Sequence, residues 1–142
     1  MAKILFVCTG NACRSPMAEG LARRLGLDAE SAGVVAAGVH PMAVEVMAEL
    51  GIDISPHRSR RVPQVDPSYE FVVTLCDYAD SVYPDQPRAR GARLHWPVED
   101  PITATGTHEQ ILQEFRRARD EIEGLILKNL DVFRSLSTVR LP

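Results

Sequence analysis

At 142 residues with 45% apolar side chains, the chain has the size of one ordinary domain and can bury a core without disulfide or metal staples. Its net charge of −3 excludes a nucleic-acid binder held by bulk electrostatics. No apolar run reaches the length of a membrane span or a signal segment, so a chain kept in the cytoplasm and off the membrane is expected.

The first predicted element is a strand over Lys3–Cys8, a short continuous run of β-formers suited to burial on both faces. Thr9-Gly10-Asn11 breaks it. Ser15-Pro16 then reads as an N-cap and N1 pair, followed by Met17, Leu21, Ala22 and Leu25 at helical spacing and Gly26 as a stop. A second unit repeats the pattern, with a strand around Ala29 to Val34 and a helix from Pro41 that turns Ala43, Met47 and Leu50 inward before Gly51. Residues 53–67, with three prolines and the Arg58, Arg60, Arg61 cluster, read as irregular surface. Tyr69–Cys76 is the third strand and Arg93–Pro97 a shorter fourth, joined by a Pro- and Arg-containing link over residues 83–91. Ile111, Phe115, Ala118, Ile122, Leu125, Asn129 and Phe133 recur every three or four residues and predict one long closing helix. Strands alternating with helices imply an α/β fold: one domain over residues 1–142, in which a four-stranded parallel sheet carries helices on both faces.

In an open α/β sheet, ligands bind outside the carboxyl ends of the strands, which is where Cys8 and the loop Thr9-Gly10-Asn11-Ala12-Cys13-Arg14-Ser15 belong. Successive loop amides and the following helix N-terminus can cradle an anion, with Gly10 expected to supply the unusual backbone angles. Arg14 adds a planar, two-pronged grip on two oxygens. The same field favours thiolate over thiol at Cys8, and the Ser15 hydroxyl can donate to its sulfur. Cys8 is thus a candidate nucleophile facing a tetrahedral oxyanion, phosphate or arsenate. The bland alternative is a buried strand-end cysteine beside an ordinary helix cap.

The run from Cys8 to Glu19, CTGNACRSPMAE, resembles the phosphate loop of the low-molecular-weight protein tyrosine phosphatases, whose Cys-x5-Arg-Ser pattern at the very N-terminus is specific. That superfamily includes arsenate reductases of the same fold, and the resemblance to these runs along nearly the whole chain. It takes in Ser31-Ala32-Gly33, Ile52-Asp53-Ile54-Ser55, Val72–Cys76, His95–Pro101 and Phe115–Ile122.

The resemblance implies a proton donor for a departing oxygen at Asp100, in Asp100-Pro101, where Glu99 is a like-charged neighbour. It also implies that Cys76, matching the Thr-Leu-Cys cysteine of the thioredoxin-linked reductases, attacks a Cys8 adduct, releases arsenite and leaves a disulfide. A buried strand-end thiol is the other reading of Cys76. In those reductases a further cysteine seven residues on takes over the disulfide; here that position is Tyr83. The external reductant therefore stays open between thioredoxin, a glutaredoxin-like protein and a low-molecular-weight thiol, with no cofactor bound. Cys13 is read either as a partner for a shielding disulfide with Cys8 or as a packed small residue. Asn11 is expected to hold the loop by side-chain hydrogen bonds. Some of the reductases bind potassium through residues that look like Asn11, Glu19 and Ser31; their acidic partner is replaced by Arg60 here, and no bound metal is expected.

All four histidines are read as structural, Trp96 as packing at the end of the fourth strand, and Arg116, Arg117 and Arg119 with Asp120, Glu121 and Glu123 as a solvated charged helix face. The leading expectation is an arsenate reductase serving arsenic detoxification, in which Arg14 and the loop bind arsenate, Cys8 attacks and Cys76 follows. The alternative is a phosphatase forming a phosphocysteine at Cys8, although Ile102-Thr103-Ala104-Thr105 stands where that family's phosphatases commonly carry tyrosines. A non-catalytic oxyanion sensor ranks third.

Overall fold

Every residue of Leu5–Cys8 and of Tyr69–Thr74 is buried, although successive side chains along a strand point to opposite faces. A strand apolar on both faces is stable only with helices above and below it, and that requirement organises the molecule. The structure, a computed structural model, describes residues 2–64, 69–85 and 88–139, with side chains as far as 134.

Strands β1 (Lys3–Cys8), β2 (Asp28–Gly33), β3 (Tyr69–Thr74) and β4 (Ala89–His95) form one sheet in the order β2-β1-β3-β4, all neighbours parallel. Helices α1 (Arg14–Arg24), α2 (Pro41–Ala48), α3 (Asp77–Val82), α4 (His108–Lys128) and α5 (Leu130–Val139) make the connections and the closing layer. The core joins Ile4, Phe6 and Val73 to Met17, Leu21, Phe115 and Ile122, all fully or almost fully buried. Phe133 of α5 stacks edge-on against Phe71 at 5.0 Å, and Trp96 lies 6.1 Å from Phe133 and 6.3 Å from Phe6. Trp96 is therefore a core ring, as its place after the fourth strand suggests. Among the described residues no helix is long and apolar enough to cross a membrane.

The expected α/β sheet is the one found, and the differences lie at boundaries. Helix α1 begins at Arg14 with Cys13 as its N-cap, so Ser15 sits inside the first turn and its hydroxyl is free for other work. β3 stops at Thr74, and Cys76 is the N-cap of α3. That helix has no sequence signal, because its six residues bury only Ala79 and show no apolar period. β4 starts at Ala89, earlier than expected; it is an edge strand whose first residues are largely exposed. Residues 53–64 are irregular except for a 3-10 turn at Val62–Gln64 and a bridge from Arg61 to Gly33; 65–67 fall outside the described residues, as do 86 and 87 of the link before β4. The predicted single closing helix is two, divided at Asn129, whose side-chain amide donates to the Leu125 carbonyl and caps the first.

The order places β1 and β3 side by side in the centre, with their connections leaving in opposite directions. A crevice opens outside the carboxyl ends of such a pair. Leu75 N–H donates to the Val7 carbonyl (2.8 Å) and Trp96 N–H to the Thr74 carbonyl (2.8 Å), so the residues following β1, β3 and β4 meet at one edge.

Candidate active site

The site starts from the last residue of β1. Cys8 is 2% exposed, with its sulfur 2.9 Å from the Ser15 hydroxyl. Ser15 Oγ also receives a hydrogen bond from Asn11 Nδ2 at 2.8 Å, so its single proton is left for the Cys8 sulfur or for the Ala32 carbonyl, at 3.3 Å. The shift of the helix start to Arg14 is what sets Ser15 in this position.

Asn11 organises the loop. It is fully buried and, at φ 50°, is the one non-glycine left-handed residue among those described; Gly10, expected to carry the unusual angle, does not. What Gly10 allows is close approach, since a Cβ there would lie 3.2 Å from Ala37 Cβ. The Asn11 amide donates to Ser15 Oγ and to Ser31 Oγ (3.0 Å), while its Oδ1 accepts from Arg60 N–H and His57 Nε2, both at 2.9 Å. Its backbone carbonyl accepts from the Ser59 hydroxyl at 2.6 Å. Ser31 in turn donates to Glu19 Oε1 at 2.9 Å. The last residue of β2 is a glycine for a steric reason: a Cβ on Gly33 would lie 2.6 Å from Asn11 N and from the Val35 carbonyl.

Arg14 is buried at 5% exposure; Nη1 donates to the Val98 carbonyl (2.9 Å) and Nη2 to Asp100 Oδ2 (3.1 Å). Asp100 also caps the 3-10 turn Pro101–Thr103, accepting from Ile102 N–H through Oδ1. Cys76 arrives from the end of β3, with its sulfur 3.3 Å from Thr9 Oγ1 and accepting from Ala79 N–H at 3.4 Å. Cys8, Arg14, Ser15, Cys76 and Asp100 are thus gathered around the loop of residues 9–14. All three cysteines are free thiols. Cys13 is 3% exposed; burial pushes its thiol up to about 12, with Asp100 and Cys8 adding to the effect and Arg14 opposing it.

Two charged residues, Arg60 and Arg119, take partners that the sequence pattern does not show. Arg60 does not bring its guanidinium to the Asn11 cluster; it turns to Glu30 (3.3 Å) and the Ser31 carbonyl (3.2 Å), and only its backbone N–H reaches Asn11. The basic group among Asn11, Glu19 and Ser31 is His57, whose Nδ1 lies 3.6 Å from Glu19 Oε2. Desolvation acts against the Glu19 carboxylate, but the hydrogen bond and charge of His57, with Ser31 and Arg23, outweigh it and hold Glu19 below its ordinary range. The oxygens that would ligate potassium are committed to these donors, so the residues present do not fit that ion. His57 was hidden because its partners lie 26 to 46 residues away in the chain. Arg119 likewise is no solvated residue: it is buried and bonds the Val46 carbonyl and Glu49, each at 2.8 Å. The other histidines have structural partners, with His40 capping α2 through Nδ1 and His95 bridging Thr74 and Asp77.

Comparison with known proteins adds a family. The model for the low molecular weight phosphotyrosine protein phosphatases matches residues 3–136. An arsenate reductase of Halalkalibacterium halodurans is 48% identical over 123 residues, 84% of this chain and 88% of that protein. An arsenate reductase of Bacillus subtilis is 45% identical over 124 residues, again 84% and 88%. Among solved structures, an arsenate reductase in the phosphate binding state superposes with a TM-score of 0.78 at 34% identity, covering 92% of this chain and 96% of that one. The YwlE arginine phosphatase from Geobacillus stearothermophilus gives 0.77 at 27% identity, over 100% and 99%.

Proposed function

The chain belongs to the low molecular weight phosphotyrosine protein phosphatase family, and from that premise we propose that it is an arsenate reductase using two of its own thiols. The observation that carries the reading is the second sulfur at the mouth of the loop, Cys76, 3.3 Å from the hydroxyl of the residue that follows the nucleophile. Hydrolysis of a phosphate ester makes no use of it. Reduction of arsenic(V) requires two electrons, and a pair of thiols supplies them.

In this scheme the loop amides and Arg14 hold arsenate, and the Cys8 sulfur attacks arsenic with Ser15 donating to that sulfur. The As–O bond to one oxygen breaks, with Asp100, beside Arg14, delivering the proton that lets it leave as water. The Cys76 thiolate then attacks the Cys8 sulfur; the S–S bond forms, the As–S bond breaks and its electron pair stays on arsenic, which departs as arsenite. An external thiol reduces the Cys8–Cys76 disulfide. With Tyr83 in place of the later redox cysteine of the thioredoxin-linked reductases, that thiol attacks the Cys8–Cys76 disulfide directly. Thioredoxin, a glutaredoxin-like protein and a small thiol all have the required chemistry.

The test compares arsenite formation, with each reductant, and phosphomonoester hydrolysis in the wild type, Cys8→Ser and Cys76→Ser. Cys8→Ser is expected to lose both reactions, and Cys76→Ser to lose arsenate reduction by about 100-fold or more while any hydrolysis survives. Normal reduction by Cys76→Ser with every reductant rules out the two-thiol route.

A further inference from the structure

A cleft of about 790 Å³ opens along α1 and the segment 51–60, and neither the loop of residues 9–15 nor Cys76 or Asp100 lines it. Four arginines do, Arg23, Arg24, Arg58 and Arg60, beside the apolar surfaces of Ile52 and Pro56. We propose that this cleft is a second anion site, taking a small organic phosphate whose dianionic head meets the arginines and whose apolar body lies along Ile52 and Pro56.

The argument is one of donors and acceptors. The three carboxylates that line the cleft are already matched. Glu19 accepts from Ser31 and faces Arg23 at 3.4 Å; Glu30 holds Lys3 (3.1 Å), Arg60 (3.3 Å) and the Tyr69 hydroxyl (2.8 Å); Asp53 accepts from both the N–H and the hydroxyl of Ser55. The arginines are not exhausted, since a guanidinium carries five N–H donors. Arg24 Nη1 is engaged by the Leu50 carbonyl, and Arg58, exposed, makes no hydrogen bond or ion pair with any described residue. A cleft whose three carboxylates already carry donors, and whose four guanidinium groups outnumber them and keep unspent N–H groups, favours anions, and the planar fork suits two phosphate oxygens. On a chain of net charge −3, such a cluster is also a local attractor for anionic ligands.

The cleft is wired to the nucleophile. His57 and Arg60 line it, and both donate to Asn11 Oδ1, whose amide holds Ser15 against Cys8. Arg60 makes that contact through its backbone alone, so an occupant that draws on the His57 ring is the one felt, through Asn11 and Ser15, at the Cys8 sulfur.

Titration calorimetry with phenylphosphonate, a non-hydrolysable ester mimic, on the full-length Arg14→Ala protein separates this site from the oxyanion loop. Saturable binding is expected to survive there, to exceed that of inorganic phosphate, and to weaken about tenfold or more when Arg58→Glu is added. Saturating ligand is also expected to change the rate of Cys8 alkylation in Arg14→Ala. Because Arg58 is exposed and unpartnered among the described residues, Arg58→Glu alone leaves the melting temperature unchanged without ligand. Loss of all phenylphosphonate binding in Arg14→Ala overturns the proposal, as does binding there that neither Arg58→Glu nor Arg58→Ala weakens. An unchanged alkylation rate at saturation overturns the coupling to Cys8.

Discussion

Asn11 concentrates more of the site than the residues that do chemistry. Its side chain fills both acceptor and both donor roles, and its φ of 50° is one that asparagine tolerates better than most residues. Asn11→Ala removes one hydrogen-bond partner from each of Ser15 and Ser31, takes the acceptor from the Arg60 N–H, and leaves an alanine in a strained conformation. A loss of about 2–4 kcal/mol is expected by denaturant titration, with a fall in Cys8-dependent turnover because Ser15 is no longer held. Cys13 provides a contrast within the same loop. Its thiol, pushed up to about 12 by burial, stays protonated through the neutral range. At pH 8 iodoacetamide should therefore modify Cys8 in the folded protein and leave Cys13 untouched, as peptide mass analysis will show; prompt labelling of Cys13 contradicts the structure. The sequence made Cys8, Arg14 and Ser15 legible because they fall within one eight-residue run. It could not show that Ser15's proton is steered by Asn11, or that His57 completes the cluster, since both depend on contacts between distant segments.

At the scale of elements, the end of β2 supports the loop from beneath. Gly33 pairs with Cys8 in the sheet register, and the Val34 and Val35 N–H groups donate to the carbonyls of Cys8 and Thr9. Gly33→Ala drives a methyl group against backbone atoms on both sides, and neither can yield without moving the loop. A destabilisation of about 1–3 kcal/mol is expected, together with weaker oxyanion binding measured by phosphate titration. Unchanged oxyanion affinity in a destabilised Gly33→Ala protein separates strand packing from loop geometry. The elements most readable in the sequence were those with strong periodicity, β1, β3 and the helix that became α4. Helix α3 was not, because it is held by polar contacts: Thr74 donates to Asp80, Arg93 faces Asp80 at 3.8 Å and donates to the Tyr83 carbonyl, and His95 reaches Asp77 at 2.7 Å. Such contacts leave no apolar pattern in six residues. The break at Asn129 escaped for the opposite reason, as the apolar spacing continues across it to Phe133.

For the whole molecule, ion pairs join layers that the chain order keeps apart, and they set the response to acid. Glu49, just past the end of α2, is held by Arg116 and Arg119 of α4, and Arg116 also grips Glu109. The Arg116 hydrogen bond leads in lowering the Glu49 carboxyl to about 2, with Arg119 adding to it against the opposing pull of desolvation. Glu30 is held below its ordinary range as well: burial opposes this, but Tyr69, Lys3 and Arg60 outweigh it, tying β2 to β1, β3 and the segment after α2. A carboxylate depressed in the folded state contributes stability that is complete above its unfolded value near 4.5 and is lost as pH falls through the folded value. For Glu49 that window runs from about 4.5 down to about 2. Because Glu49 lies at the surface, the contribution is screened and salt-sensitive, so the shape of the curve is more informative than its size. Thermal melts between pH 6 and pH 2 should show stability falling steadily below pH 4.5. Glu49→Gln, which keeps the side-chain volume and removes the titrating group, should flatten that slope while lowering the melting temperature modestly at pH 6. A slope identical to the wild type would mean that the link between α2 and α4 rests on the buried Arg119 contact to the Val46 carbonyl and on apolar packing, with the charge of Glu49 contributing nothing.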